Sequence, residues 1–127
     1  MTPEDFAKTF ATLFASRDAT GLADLLDQTA QVVSLTGGSA DNRQDAQALF
    51  EQEFAGIFAA ARLVTGRSRV QVLGPGAVVL HQTFVVTGAL GPDASPLPRF
   101  PALVSAVLIA RAEGWHAVSL TLSPLSQ

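Results

Sequence analysis

Hydrophobic side chains recur at helical spacing near the start of the chain. Phe6, Phe10 and Phe14 stand four residues apart, which places all three on one face of a helix. Thr2 can cap this helix, and Pro3 suits its first turn, where a backbone N–H is not needed. The pattern therefore predicts a first helix that buries a phenylalanine stripe.

Two more helices are expected before the chain turns to strands. Asp18 or Thr20 can begin a short second helix, and Asp41 or Asn42 can cap a third. The third helix is predicted to end near Ala61. Its apolar residues repeat at helical spacing: Ala46, Leu49, Phe50, Phe54, Ile57 and Phe58.

The strand signals lie mostly in the second half of the sequence. The β-branched segment 29–36 predicts an early strand, whereas after residue 62 apolar and polar residues alternate with a period of 2. Segment 77–88 is apolar on both faces, so both sides of the sheet should be covered. Hairpins are predicted around 74–76 and between the strands 102–111 and 115–122.

The order of elements is helix, helix, strand, helix and four antiparallel strands, which predicts an α+β fold. We expect a curved antiparallel sheet with the three N-terminal helices packed on its concave face. At 127 residues the chain is long enough to bury a core of its own. Residues 1–127 are therefore predicted to form one domain.

Composition narrows the range of partners. With 48% hydrophobic and only 15% charged residues, the chain favours a homodimer that covers part of its apolar surface. A net charge of −3 and a single lysine leave no basic stripe for phosphates, so nucleic-acid binding is not expected. No apolar run approaches the roughly 18 residues of a membrane span, so membrane insertion is not expected either. Because the start of the chain is also unlike a secretory signal, we expect a cytoplasmic protein.

Three segments of the sequence carry a resemblance. They are 17–26, which joins the first two helices, 72–81 across the long hairpin, and 113–116 with its Gly-Trp pair. With the element order, they resemble the nuclear transport factor 2-like superfamily, also called SnoaL-like or the cystatin-like α+β roll. The last two segments look most like its SgcJ/EcaC-type branch. The resemblance implies a SnoaL-like domain that dimerises through its outer sheet face and keeps a cavity between the inner face and the helices.

This chain lacks several of the polar residues that the resemblance implies for catalysis. The resemblance implies, for an isomerase, a carboxylate base near the end of the first strand, where this chain has Ser34 and Leu35. It also implies a tyrosine, and this chain has none. In the SgcJ/EcaC-type pattern the last strand carries a Gln-Asn pair, at positions occupied here by Thr121 and Leu122. Steroid-isomerase chemistry is therefore disfavoured.

His81 is the candidate catalytic residue, by elimination. Segments 62–92 and 96–112 contain no Asp or Glu, and the chain has no Cys or Tyr. A histidine exchanges a proton near neutral pH, whereas arginine stays charged and a hydroxyl needs a base. We expect His81 to face the cavity as a general base; the alternative is a hydrogen-bonded histidine on the dimer face. His116, beside a turn, is the weaker candidate.

The candidate ligand site is largely apolar. Phe14, Phe54 and Phe58 are expected to line the cavity with their inner ends, although burial in the core explains such rings equally well, at about 1.5–3 kcal/mol each. The polar groups expected to orient a ligand are Thr83, Ser105 and Thr121.

No metal and no cofactor are predicted. The chain has no cysteine, and its two histidines lie on separate strands without a nearby acid, which makes a poor ligand set for zinc. Asp41 and Arg43 can orient a water or a carboxylate, but helix capping and dipole compensation explain the acids at this helix start equally well. Arg67 and Arg69 fit either a solvated row or an anion site.

Two functions of different classes follow. The first is a homodimeric roll whose cavity binds a small, mostly apolar molecule, with weak-base isomerase, cyclase or dehydratase chemistry at His81. The second is a non-catalytic dimerisation or association module whose cavity is filled by its own side chains. The volume of the cavity separates the two, since about 300 Å3 or more supports ligand binding.

Overall fold

The computed structural model describes residues 1–125, in which helices pack against one face of a six-stranded sheet. A 3-10 turn at Pro3–Asp5 precedes three α-helices. These are α1 (Phe6–Ala15), α2 (Ala19–Asp24) and α3 (Arg43–Phe54). The strands are β1 (Leu26–Val33), β2 (Ser39–Ala40), β3 (Arg62–Gly74), β4 (Ala77–Thr87), β5 (Phe100–Arg111) and β6 (Gly114–Pro124). The predicted α+β architecture is confirmed.

Helix α3 begins where the sequence predicts and ends earlier. The Asn42 side chain caps it, because its Oδ1 accepts a 2.8 Å hydrogen bond from the backbone N–H of Asp45. After Phe54 the chain continues in turns through Gly56, a poor helix former. The predicted end near Ala61 is therefore wrong, because apolar spacing persists through those turns and imitates a longer helix.

The sheet has the order β2-β1-β6-β5-β4-β3, and only the β1–β6 pair is parallel among these strands. Strand β1 starts at Leu26, three residues before the predicted segment 29–36. Three hydrogen bonds fix this start: the Ala117 N–H donates to the Leu25 carbonyl at 2.8 Å, and the Arg43 guanidinium donates two to the Leu26 carbonyl. Arg43 thus joins α3 to β1.

A bulge in β3 decides which side chains face the helices. The pairing with β4 shifts between Thr65 and Ser68, so Val64 lies on the outer face opposite Val85, and Val70 lies on the inner face opposite Leu80. Gly66 permits the bulge, because a Cβ there would stand 2.6 Å from the Thr83 hydroxyl. Strict alternation along β3 therefore predicts the wrong face of the sheet for the residues on one side of the bulge.

Candidate functional site

Phenylalanine rings fill the space between the helices and the sheet. Phe6, Phe10, Phe14, Phe50, Phe58 and Phe84 are each at most 2% exposed. A cavity that admits water leaves exposed area on the side chains that line it, and these rings have almost none. The open cavity that the sequence analysis expected between inner face and helices is therefore not found beside them.

The three predicted ligand-binding phenylalanines do meet one another. The rings of Phe14 and Phe54 are 5.2 Å apart between centroids in an edge-to-face arrangement, and those of Phe14 and Phe58 are 5.5 Å apart. Contacts at these distances are ordinary aromatic packing. In this chain the three rings therefore form part of the core.

His81 lies on the outer face of the sheet. Along β4, buried and half-buried residues alternate, and the buried set includes Phe84, whose ring is 6.4 Å from that of Phe10 in α1. His81 belongs to the other set, on the side that no helix of the described chain covers. The expectation that His81 faces a cavity against the helices is therefore wrong, because β4 is apolar on both faces and its sequence does not show which face is inner.

The predicted polar residues accompany His81. Ser105 lies directly opposite His81 on β5, and Thr121 lies opposite Ser105 on β6. Thr83 is two residues from His81 on the same face. Its hydroxyl accepts a 2.8 Å hydrogen bond from the Arg67 backbone N–H and donates one of 3.2 Å to the Arg67 carbonyl. The predicted site is thus divided, with its rings on one side of the sheet and its polar groups on the other.

An open groove on the outer face borders His81. It has a volume of about 290 Å3 and is lined by Arg67, Ser68, Arg69, His81, Thr83 and Leu103. Arg69 is the direct cross-strand neighbour of His81. No carboxylate occurs on strands β3 to β6 to orient the His81 imidazole.

A second polar cluster, which the sequence analysis did not identify, is centred on Glu53 of α3. The residue as a whole is only 6% exposed. The carboxylate Oε2 accepts hydrogen bonds of 2.6 Å from the hydroxyls of Ser34 and Thr36, both just beyond the end of β1. Oε1 accepts no hydrogen bond from residues 1–125 and is not sealed from solvent.

Glu53 forms part of the wall of an open groove of about 510 Å3, which we call the acidic groove. Its lining residues are Thr36, Gly38, Leu49, Gln52, Glu53 and Ile57. The groove therefore joins one carboxylate, an amide and a hydroxyl to two aliphatic side chains.

A neighbouring groove of about 580 Å3, the apolar groove, lies between the turns after α3 and the loop before β5. It is lined by Ala55, Gly56, Ile57, Ala59, Leu90, Gly91, Pro92, Ala94 and Leu97. The Leu90 N–H donates to the Ile57 carbonyl at 2.9 Å and holds the loop against the turns. Ile57 borders both grooves.

Two further candidate residues, Arg43 and His116, contact backbone carbonyl groups of the protein itself. Arg43, a candidate carboxylate ligand, is engaged with the Leu26 carbonyl, and His116 Nδ1 lies 3.2 Å from the Gly114 carbonyl oxygen. Within residues 1–125, no group of three or more His, Cys, Asp or Glu side chains is placed to hold a metal ion. No helix in the same described part is long and apolar enough to cross a membrane.

Glu53 was missed although the sequence contains a signal for it. Three residues after Phe50 and four before Ile57, Glu53 falls within the apolar stripe of the predicted helix. A charged residue inside an apolar stripe is either paired or functional, because burial of an isolated charge is costly. Its hydroxyl partners are 17 and 19 residues away in sequence, so only the tertiary structure identifies them.

Comparison with known proteins establishes the fold. No protein-family model and no curated protein matches the chain. An uncharacterised protein with a cystatin-like fold from Caulobacter vibrioides has a similar solved structure, with a TM-score of 0.87 and 13% identity over 97% of this chain and 87% of that one. At this identity the likeness shows the cystatin-like fold alone.

Two further solved structures carry names that suggest different functions. A candidate calcium/calmodulin-dependent protein kinase II association domain from Xanthomonas campestris has a TM-score of 0.77 and 15% identity, over 98% of this chain and 86% of that one. A candidate dehydratase of the NTF2-like family from Streptomyces avermitilis also has a TM-score of 0.77 and 15% identity, over 95% and 91%. Proteins with this fold thus carry names as different as association domain and dehydratase, so the fold alone does not select a function.

Proposed function

We propose that this chain is a homodimeric association module whose two copies pack through the outer faces of their sheets. The observation that carries the proposal is the contrast between the two faces. Phenylalanine rings and helices close the inner face, whereas the outer face has no cover within residues 1–125. An apolar sheet face left in water is unfavourable, and a second copy of the chain removes it from water.

The composition of the outer face suits the centre of an interface. Its half-buried aliphatic residues are Val79, Val85, Leu103, Val107 and Ile109. Strands β3 to β6 contain no Asp or Glu, and depletion of charge is the compositional mark of interface cores. Three of the four arginines of these strands, Arg62, Arg67 and Arg69, lie on the edge strand β3, where a rim would be, and the fourth, Arg111, lies at the end of β5.

The size of the face is close to that of one side of a stable interface. Strands β3 to β6 are 11 to 13 residues long. At about 4.8 Å between strands and about 3.3 Å per residue, four such strands present roughly 700 Å2. Stable complexes bury about 800 Å2 per partner, so this face supplies nearly all of the required area.

Sedimentation of a charge-introducing variant tests the proposal. We expect the wild-type chain to be a dimer at micromolar concentration and Val107→Glu, at the centre of the face, to be a folded monomer. Val72→Glu is the matched control, because Val72 is 72% exposed and lies on the opposite face, so this variant should stay dimeric. A wild-type monomer at micromolar concentration contradicts the proposal.

Binding of a small, mostly apolar molecule is the second candidate function. It is favoured by the apolar groove, whose volume of about 580 Å3 lies within the range of about 300–1,000 Å3 typical of ligand sites. The proposed site is then at the surface and not in the interior. His81 does not line this groove, so isomerase, cyclase or dehydratase chemistry at His81 gains no support from it.

A titration with 1-hexanol tests the second candidate. Amide resonances of Ile57 and Leu90 should shift to saturation in the NMR spectrum, while those of outer-face residues stay in place. Shifts that are absent, or spread evenly over the surface, contradict it. The cytoplasmic location and the SgcJ/EcaC-type branch stay predictions.

A further inference from the structure

Glu53 is a buried carboxyl group without a cationic partner among residues 1–125. The ion pair found in this part of the chain joins Arg111 to Asp27 and does not involve Glu53. Burial of an ionised carboxylate is costly, and a paired cation recovers part of that cost. A ligand that brings a positive charge to this position therefore gains more than one that binds at an exposed acid.

The hydroxyls of Ser34 and Thr36 lie 2.8 Å from each other, and each lies 2.6 Å from Oε2 of Glu53. The Thr36 N–H donates to the Ser34 hydroxyl at 3.3 Å, and the Gly38 N–H donates to the Thr36 hydroxyl at 3.2 Å. Oε2 is therefore engaged within the protein, whereas Oε1 accepts no hydrogen bond from residues 1–125 and is not sealed from solvent. Oε1 is thus the carboxyl oxygen that a ligand can reach.

The surroundings of Glu53 indicate the shape of the ligand. The acidic groove has Leu49 and Ile57 beside the carboxylate, and Ile57 continues into the apolar groove toward Leu90 and Leu97. Glu53 thus stands at the polar end of a path whose other end is apolar. A molecule with a cationic head and an apolar body matches both ends.

We propose that the acidic and apolar grooves together bind an organic ammonium ion. Its N–H group donates to Oε1 of Glu53, and its apolar body lies along Ile57 toward Leu90. The apolar end of this site rests on the second candidate function, whereas the ammonium preference rests on Glu53 alone.

Three probes of equal chain length test the proposal on the whole protein: n-hexylammonium, 1-hexanol and hexanoate, each titrated at pH 7 and followed by NMR. We expect hexylammonium to bind about 10- to 100-fold more tightly than hexanol, which is the gain of one charge-assisted hydrogen bond. Hexanoate should bind most weakly. Hexylammonium should also shift the side-chain carboxyl carbon of Glu53.

The outcomes separate this inference from the second candidate function. Equal affinity for hexylammonium and hexanol overturns the ammonium site and leaves the apolar groove intact. Absence of binding by all three probes overturns both. A preference for hexanoate, or a hexylammonium complex that leaves the Glu53 carboxyl resonance unmoved, also overturns the ammonium site.

Two variants test whether Glu53 causes the preference for hexylammonium over hexanol. Glu53→Gln should lower the affinity for hexylammonium to that for hexanol, whereas Glu51→Gln should keep the preference. Glu51 lies two residues away on the same helix, is exposed, and changes the net charge equally. Loss of the preference in both variants indicates a general charge effect and overturns the site. If Glu53→Gln gives no folded spectrum, the wild-type comparison of hexylammonium with hexanoate, read at the Glu53 carboxyl, decides.

Discussion

The ring of Phe14 in α1 meets the ring of Phe54 in α3 edge-to-face, with 5.2 Å between their centroids. Both rings are buried, and this contact occupies the place where a ligand cavity was expected. Removing one of these two rings therefore tests whether the interior is filled by side chains.

Replacement of Phe14 by alanine should lower the free energy of unfolding by about 3–5 kcal/mol, because the ring is fully packed and its removal leaves a void. Urea denaturation measures the loss. The void should be apolar and should bind benzene, which raises the stability of the variant. Val72→Ala is the control, and a loss of about 0.5 kcal/mol or less is expected for that exposed side chain. A Phe14→Ala loss below about 1 kcal/mol means that the interior is not packed as described.

Ser34→Ala should destabilise the protein by about 1–3 kcal/mol, since it removes a 2.6 Å hydrogen bond from the buried Glu53 carboxylate. Ser39→Ala makes the same chemical change at an exposed position of β2 and should cost little. Chemical denaturation of both variants gives the comparison. If the two variants lose equal stability, the Ser34 hydroxyl contributes nothing specific to holding Glu53.

Asp27 and Arg111 should contribute a pH-dependent part of stability. The Arg111 guanidinium donates hydrogen bonds of 3.1 and 3.2 Å to the carboxylate and thereby lowers the pKa of Asp27 below its ordinary value. A group whose pKa falls on folding stabilises the protein above its unfolded pKa, and this contribution is lost as the pH falls through the folded pKa. The Arg111 side chain is 47% exposed and that of Asp27 is 19% exposed, so solvent screens the pair in part and its contribution is about 1 kcal/mol or less.

The measurement is the difference in unfolding free energy between wild type and Arg111→Gln at several pH values. The difference should be present at pH 6 and should shrink below the ordinary pKa of aspartate, near 4. Arg62→Gln, at an exposed arginine outside this ion pair, provides the control. A difference that grows on acidification reverses the expected sign and contradicts the assignment.

Gly88→Ala should destabilise the end of β4 by about 1–3 kcal/mol or more. Gly88 has a φ of +78°, and a Cβ there would stand 2.5 Å from the Ala60 carbonyl oxygen, so the backbone must move. At Gly74 no atom lies within 4 Å of an added Cβ, so Gly74→Ala is the matched control. Thermal unfolding of the two variants should separate them clearly. Similar melting temperatures would falsify the close approach of Gly88 to Ala60.

The sequence by itself determined the type and order of the main helices and strands and most of the apolar residues of the core. The stripe of Phe6, Phe10 and Phe14 is fully buried, and the Asn42 cap begins α3 as its local sequence indicates. These features depend on contacts within a few residues, which periodicity and capping preferences report directly. The α+β class follows from the order of the elements for the same reason.

Only the tertiary structure decided the face of each strand, the parallel pairing of β1 with β6, and the site. An apolar strand such as β4 has two equivalent faces in sequence, and the helices above Phe84 make one of them inner and place His81 on the other. The hydrogen bonds of Glu53 likewise come from Ser34 and Thr36, which are 19 and 17 residues away in sequence and meet it only in the folded protein. Local sequence patterns report preferences over a few residues, whereas a site depends on contacts between distant ones.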